Sequence, residues 1–432
     1  MTSCLIRDVL VVPPEPAAPY AGWVRVDGGF ITAVEAGSAR QESADDVVDG
    51  EGCALIPGLV NTHAHSHSSL TRGSAEGLAL DEWLKTIESE QSRLTPEQAR
   101  VGALATYAEA LLSGTTTIMD MCLHPHQAFA AASEIGIRAV IAPYVADRKS
   151  FTPTLADTAN LIETASRHNG RVRAWVGLHD LESCSDEQIR AGAELAKKHD
   201  VGIHLHCSET SISVERTRTR TGLTPVAQLA QLSALGPQTL LAHCVWVDAS
   251  DRNLLAAAGV HVAHCPHANL KLGSGIAPIP DLIASGVNVA LATDGAKANN
   301  RLDLFDVMKF ASLLHKGVTR DPTVLLPGHV LDMATRRGGL ALGAPVGFIA
   351  VGMAADLVMV RLDGFHLQPA TAETIRTNLV HAARGSDVTM TMVDGRILVR
   401  DGRLTALPQD LLRDQARAVG LELTRAQRSA AA

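Results

Sequence analysis

No Cys-x-x-Cys pair occurs among the seven cysteines (Cys4, Cys53, Cys122, Cys184, Cys207, Cys244 and Cys265), and their number is odd. Both facts argue against a disulfide framework and against a structural zinc cluster. No apolar run reaches about 18 residues and no charged-then-apolar start is present, so a membrane span is not expected and a cytoplasmic location is. Positive charge is not gathered into a stripe. The 38 Lys and Arg against 46 Asp and Glu leave a formal charge of −8, which excludes nucleic acid or an anionic membrane as a general partner and points to a small substrate. The Pro-Cys-x-x-Cys signature of zinc deaminases that act on flipped bases is also missing. What remains is ordinary globular composition, 46% hydrophobic and 19% charged over 432 residues, enough for one large domain and a smaller one.

Histidine is where the chain concentrates its chemistry. In Pro57-Gly58-Leu59-Val60-Asn61-Thr62-His63-Ala64-His65 two imidazoles stand one residue apart, and on a strand they share a face. Imidazole suits zinc or ferrous iron, and a site with an open position makes bound water acidic enough to ionise near neutral pH. Three more apolar runs end in the same manner. Val201-Gly202-Ile203-His204-Leu205-His206-Cys207-Ser208-Glu209 delivers His206 and, three residues on, Glu209, a ligand beside a general acid/base. Thr239-Leu240-Leu241-Ala242-His243-Cys244 ends in His243, and the run from Val287 ends in Thr293-Asp294-Gly295. Singly, each has a plain structural reading: His204 or His206 as a hydrogen-bonded core histidine, His243 as a buried neutral imidazole, Asp294 as a helix N-cap. Jointly, four strand ends carrying such groups resemble a barrel active site. Cys207, Cys244 and Cys265 each follow a histidine and read as small apolar fillers rather than ligands.

Short β stretches at 9–12, 23–26 and 30–34, broken by Pro13-Pro14 and Gly28-Gly29, predict a small sheet at the start. The same texture returns at 356–360 and 389–399, where Asp394-Gly395 signals a hairpin. The two ends are expected to pair into one composite β domain, residues 1–56 with 346–410. Between them, over 57–345, apolar strands alternate with helical segments at 96–113, 186–199, 225–235 and 302–315, which predicts an α/β fold, a (β/α)₈ TIM-like barrel. Residues 411–432 read as a charged surface helix.

These motifs resemble the amidohydrolase superfamily, and within it the cytosine-deaminase-like branch of adenosylhomocysteine, methylthioadenosine, guanine and s-triazine hydrolases. Beyond the runs quoted above, the resemblance rests on Asp81-Glu82-Trp83-Leu84, Ser113-Gly114-Thr115-Thr116-Thr117, Asn269-Leu270-Lys271-Leu272-Gly273-Ser274-Gly275 and Asn299-Asn300, in order over nearly the whole chain. It implies a barrel flanked by a β-sandwich made from both chain ends. It also implies one divalent metal, zinc before iron, held by His63, His65, His206 and Asp294 with Glu209 and His243 beside it. The carboxylated lysine that accompanies two metals in the family has no counterpart at a strand end here. The implied reaction is hydrolysis of an exocyclic amino group on a nitrogen heterocycle, with release of ammonia. Water is activated by the metal and Asp294, His243 stabilises developing charge, and Glu209 shuttles the proton. The family usually forms dimers or larger homo-oligomers.

For the substrate, the resemblance points to His179, Trp83 and Gln91, with His67 and His267 as candidate pocket residues. Where family members read Ala-Pro-Tyr after that histidine, this chain has Asp180-Leu181-Glu182. Aligned on Arg93-Leu94-Thr95, the glutamate that grips the ribose diol becomes Gln91, and a substrate-binding arginine becomes Pro143. These departures argue against adenosylhomocysteine or methylthioadenosine, leaving a purine, pyrimidine, pterin or s-triazine ring open. A second reading keeps the hydrolase and changes the leaving group to chloride, an alkylamine or a urea or amide nitrogen. Glu209 favours an amine, since chloride needs no proton. A third, a silent metal-binding homologue, is disfavoured because every ligand and proton-handling position is filled.

Overall fold

In the computed structural model, which describes residues 3–39 and 42–431, the middle of the chain forms two parallel sheets. The first runs Leu59–Ala64, Thr115–Cys122, Arg138–Pro143 and Val172–Ala174 in that order; the second runs Val176–Gly177, Ile203–Cys207, Thr239–His243, His261–His264 and Asn288–Leu291. Nearly all of their residues are buried, which is why they read as continuous apolar runs rather than as alternation. The sheets touch at both edges. On one side Trp175 N–H donates to the Ile141 carbonyl (3.0 Å) and Val176 N–H to that of Gly202 (2.9 Å). On the other, Thr62 Oγ1 donates to the Leu291 carbonyl (2.9 Å) and Asp294 N–H to that of His63 (3.0 Å).

The expected helices are present with shifted ends. Pro96–Leu112 begins at a capping box in which Thr95 and Gln98 satisfy each other's backbone N–H groups. Asp186–His199 matches expectation, while Pro225–Gln231 stops early because the chain turns through Ser233 at φ +60°. Leu304–Thr319 starts after Asp303, whose carboxylate caps Phe305 N–H, and runs four residues beyond expectation until Arg320 adopts φ +56°.

Among the described residues the two chain ends meet in one nine-stranded sheet. Cys53–Pro57 lies between Cys4–Val11, to which it is parallel, and Leu357–Arg361, to which it is antiparallel, with Pro57 opposite Leu357. The hairpin Val388–Val393 to Arg396–Arg400 turns through Asp394 (φ +54°) and Gly395 (φ +74°), the pair of positive dihedrals that a two-residue hairpin needs. A buried latch joins this sheet to the first parallel one. Arg138 grips Asp356 through two hydrogen bonds of 2.9 Å and Asp394 through one of 3.1 Å. The expected tail helix spans Gln409–Ala431 and is docked rather than free: Leu412 and Leu423 are buried, and Gly420 lies against the Leu70 carbonyl. Among the described residues no helix is long and apolar enough to cross a membrane.

Candidate active site

Parallel strands end on one side, so the carboxyl ends of Leu59–Ala64, Ile203–Cys207, Thr239–His243 and Asn288–Leu291 bring His63, His65, His206, Glu209, His243 and Asp294 together. His243 (φ +74°) and Asp294 (φ +61°) both sit in left-handed backbone, a strained conformation that clusters at functional sites. Glycine follows Asp294 for a steric reason: a Cβ on Gly295 would meet Ser68 Oγ at 2.5 Å and His65 Cβ at 3.0 Å.

Hydrogen bonds to backbone decide which imidazole nitrogens are bare. A carbonyl can only accept, so His65 Nδ1–H donates to Met121 O (2.7 Å) and His206 Nδ1–H to His179 O (2.7 Å). Their Nε2 atoms face each other at 3.2 Å. His63 Nε2 is buried with no hydrogen-bond partner among the described residues, and Asp294 Oδ1 stands 3.6 Å from it and 3.5 Å from His65 Nε2. Burial, reinforced by neighbouring imidazoles, holds the pKa values of His63 and His206 well below the usual range, so both stay neutral, the form that ligates. Three convergent imidazole nitrogens and a carboxylate fit a divalent metal ion, which would remove any repulsion between facing lone pairs. Cys265 also lies within 4.8 Å of ligand atoms of His63 and His243, but burial pushes its thiol well above the ordinary range, keeping it protonated and a poor ligand.

Beside this cluster His243 Nδ1–H donates to Asn269 Oδ1 (2.8 Å), aiming Nε2 at Glu209 Oε2, 3.7 Å away. Ser274 Oγ donates to the other Glu209 oxygen at 3.2 Å. Burial raises the Glu209 pKa, Asp294 adds to the rise, and His243 and Ser274 oppose it. That is the direction a carboxyl needs in order to give and take a proton near neutral pH.

A cavity of about 1070 Å³, counting its open mouth, reaches these groups. His179, Trp83, Gln91 and His67 line it. Trp83 Nε1, Gln91 Oε1 and His67 Nδ1 are buried without partners among the described residues, three polar atoms that a substrate or water would satisfy. His179 Nδ1 is bound to Asp180 (2.8 Å); burial would raise the Asp180 pKa, but His179 and Ser183 outweigh it and keep Asp180 ionised. His267 is a correction. It is not at the cavity but stacks on Phe310 at 4.3 Å, because residues two apart on a helix do not share a face and Asn269 takes the inward one.

The sequence reading missed Tyr144, Glu90 and Lys297, which also line the cavity. Lys297 Nζ donates to Glu90 Oε2 at 2.7 Å, both side chains nearly buried. The signal for Glu90 is present in the sequence: Trp83, Ile87 and Glu90 recur at helical spacing within Leu80–Gln91, so Glu90 shares the cavity-facing side of the helix.

Residues 54–398 match the Amidohydrolase family. The chain is 41% identical over 386 residues to a 5'-deoxyadenosine deaminase of Methanothermobacter thermautotrophicus, covering 88% of this chain and 90% of that one. It is 38% identical over 421 residues to a 5-methylthioadenosine/S-adenosylhomocysteine deaminase of Syntrophobacter fumaroxidans, covering 95% of each. In three dimensions it resembles an adenosine deaminase from Xanthomonas campestris with bound zinc, with TM-score 0.93, 30% identity and 98% of both chains covered. With its strand-end histidines, its aspartate and this extent of similarity, the chain belongs to the amidohydrolase family.

Proposed function

We propose that this protein is a metal-dependent aminohydrolase that removes the ring amino group of an adenosine-type nucleoside altered at its 5′ position. The observation that carries the reaction type is Glu209, a largely buried carboxyl with a raised pKa, 3.7 Å from His243 Nε2 and beside the nitrogen cluster. The substrate class is supported by the named relatives, which outweigh the departures at Gln91, Pro143 and Asp180-Leu181-Glu182. Glu90, one residue from Gln91, restores a carboxylate to that wall of the cavity.

His63, His65, His206 and Asp294 would hold the metal, and zinc is the ion proposed because the structural relative binds it. A divalent cation there supplies Lewis acidity and makes water nucleophilic near neutral pH. Asp294 accepts a proton from the attacking water. Glu209 protonates the ring nitrogen next to the amino-bearing carbon, drawing electrons from that carbon, and His243 faces the charge that develops there. Oxygen bonds to the carbon; Glu209, left ionised, takes the proton of the new hydroxyl and passes it to the amine as the carbon–nitrogen bond breaks, ammonia leaves with a carbonyl in its place, and the proton that Asp294 took from water returns to Glu209. Loss of an amine requires this proton, which chloride would not, so the raised Glu209 pKa favours deamination over dechlorination.

The same proposal treats the two parallel sheets as one distorted (β/α)₈ barrel over 57–345. The hydrogen bonds at both sheet edges support that reading, with the shared end sheet as the sandwich domain of 1–56 and 346–410. The test is ammonia release by zinc-loaded protein from 5′-deoxyadenosine, methylthioadenosine, adenosylhomocysteine, adenosine, guanine, a pterin and an aminotriazine, with Glu209→Gln as control. Release from the adenosine-type compounds, abolished in the variant, is expected. Release confined to a pterin or triazine would overturn the substrate class, and silence on all would overturn deamination.

A further inference from the structure

We propose that His204 is a positioning residue that fixes the tautomer of His63 and thereby keeps its Nε2 bare for the metal. The inference rests on the reading of His63 as a ligand. His65 and His206 have their Nδ1–H groups committed to backbone carbonyls, which can only accept. His63 differs: its Nδ1 meets another imidazole, His204 Nε2, at 2.8 Å, and an imidazole nitrogen can serve in either sense. The ambiguity is removed one step further out. His204 Nδ1 lies 2.9 Å from the Leu240 carbonyl, so that nitrogen must carry the proton, His204 Nε2 must accept, and His63 Nδ1 must donate. His63 Nε2 is then left without a proton, and it is the nitrogen that lies buried without a partner 3.6 Å from Asp294. Both rings have 0% exposure, so water cannot replace a lost link. Strand alternation explains the placement: His204 and His206 share a face, one supporting His63 and the other standing against His65.

Zinc affinity of the full-length protein, measured by chelator competition, tests this on wild type, His204→Gln and His204→Asn. Glutamine can set an acceptor oxygen where Nε2 stands; asparagine is one carbon too short. Loss of such an outer hydrogen bond costs about 10–100-fold in metal affinity, so the asparagine variant is expected to weaken by that factor and the glutamine variant to remain close to wild type. Equal affinity of wild type and asparagine variant would overturn the assignment, as would equal losses in both variants. If a variant does not fold, side-chain ¹⁵N spectra of wild type decide: protons on Nδ1 of both His63 and His204 are expected, and a proton on Nε2 of either overturns the relay. A wild type that binds no divalent metal would overturn the underlying reading of the site instead, and the same spectra of metal-free protein would still judge the relay.

Discussion

Nε2 of His65 and Nε2 of His206 face each other at 3.2 Å, and in the neutral imidazoles neither carries a proton, because the Nδ1–H of each is spent on a backbone carbonyl. Two lone pairs at that distance repel in the absence of a cation, and the Asp294 carboxylate 3.5 Å from His65 Nε2 gives the cluster the negative charge that a cation completes.

Metal removal is therefore expected to cost stability as well as activity. Zinc at 100 times its Kd should stabilise the fold by about 2.7 kcal/mol through mass action. Thermal melts of chelated and reconstituted protein check this, and superimposable melts would show that the cluster holds no ion.

Glu209→Gln should lower kcat by about 10²–10⁴-fold, the usual weight of a positioned acid or base, with zinc content unchanged. It should also stabilise the metal-free protein at neutral pH. The folded state raises the Glu209 pKa, so the stabilising contribution of the protonated form is present below the unfolded pKa and lost as pH rises through the folded one. Urea titrations of both proteins at acid and neutral pH should show the advantage of the variant only at the higher pH.

His67→Ala and His267→Ala should separate cleanly. His67 lines the cavity and meets Gln91 at 3.3 Å, so its loss should raise KM. His267 packs on Phe310 outside the cavity, and its loss should leave KM and kcat unchanged while lowering the melting temperature. Steady-state kinetics with the best substrate of the panel discriminates the two.

His315, buried and 3.1 Å from His264, has its pKa lowered by burial to about 4. Between about pH 6.5 and 4 the unfolded chain binds this proton and the folded one does not, so stability is lost as pH is lowered through that window, by up to about 3 kcal/mol. His315→Gln should flatten the acid limb of a stability profile by one proton's worth of slope. An unchanged slope would show that the histidine is protonated in the folded state.

Arg138→Met should destabilise by about 3–5 kcal/mol, because it strands the carboxylate of fully buried Asp356. Adding Asp356→Asn should recover part of the loss by removing the stranded charge. Denaturant melts of the single and double variants measure both, and additive losses would show that the latch contributes packing alone.

The alternation of apolar runs and helices, the hairpin at Asp394-Gly395 and the strand-end positions of His63, His65, His206, His243 and Asp294 were legible in the chain itself. Strand period and burial act on near neighbours, so they leave a local record. His67 and His267 looked alike by that record. Only packing separated them, since helix Pro266–Lys271 turns Asn269 inward and His267 onto Phe310. The Glu90–Lys297 pair, 207 positions apart, and the His63–His204 bond, 141 apart, had no local signature at all. The sequence determined which residue types stand at which strand ends. The tertiary structure decided which nitrogen of each imidazole is bare and which charges face the cavity, because hydrogen-bond direction and desolvation depend on partners that folding brings in from distant strands.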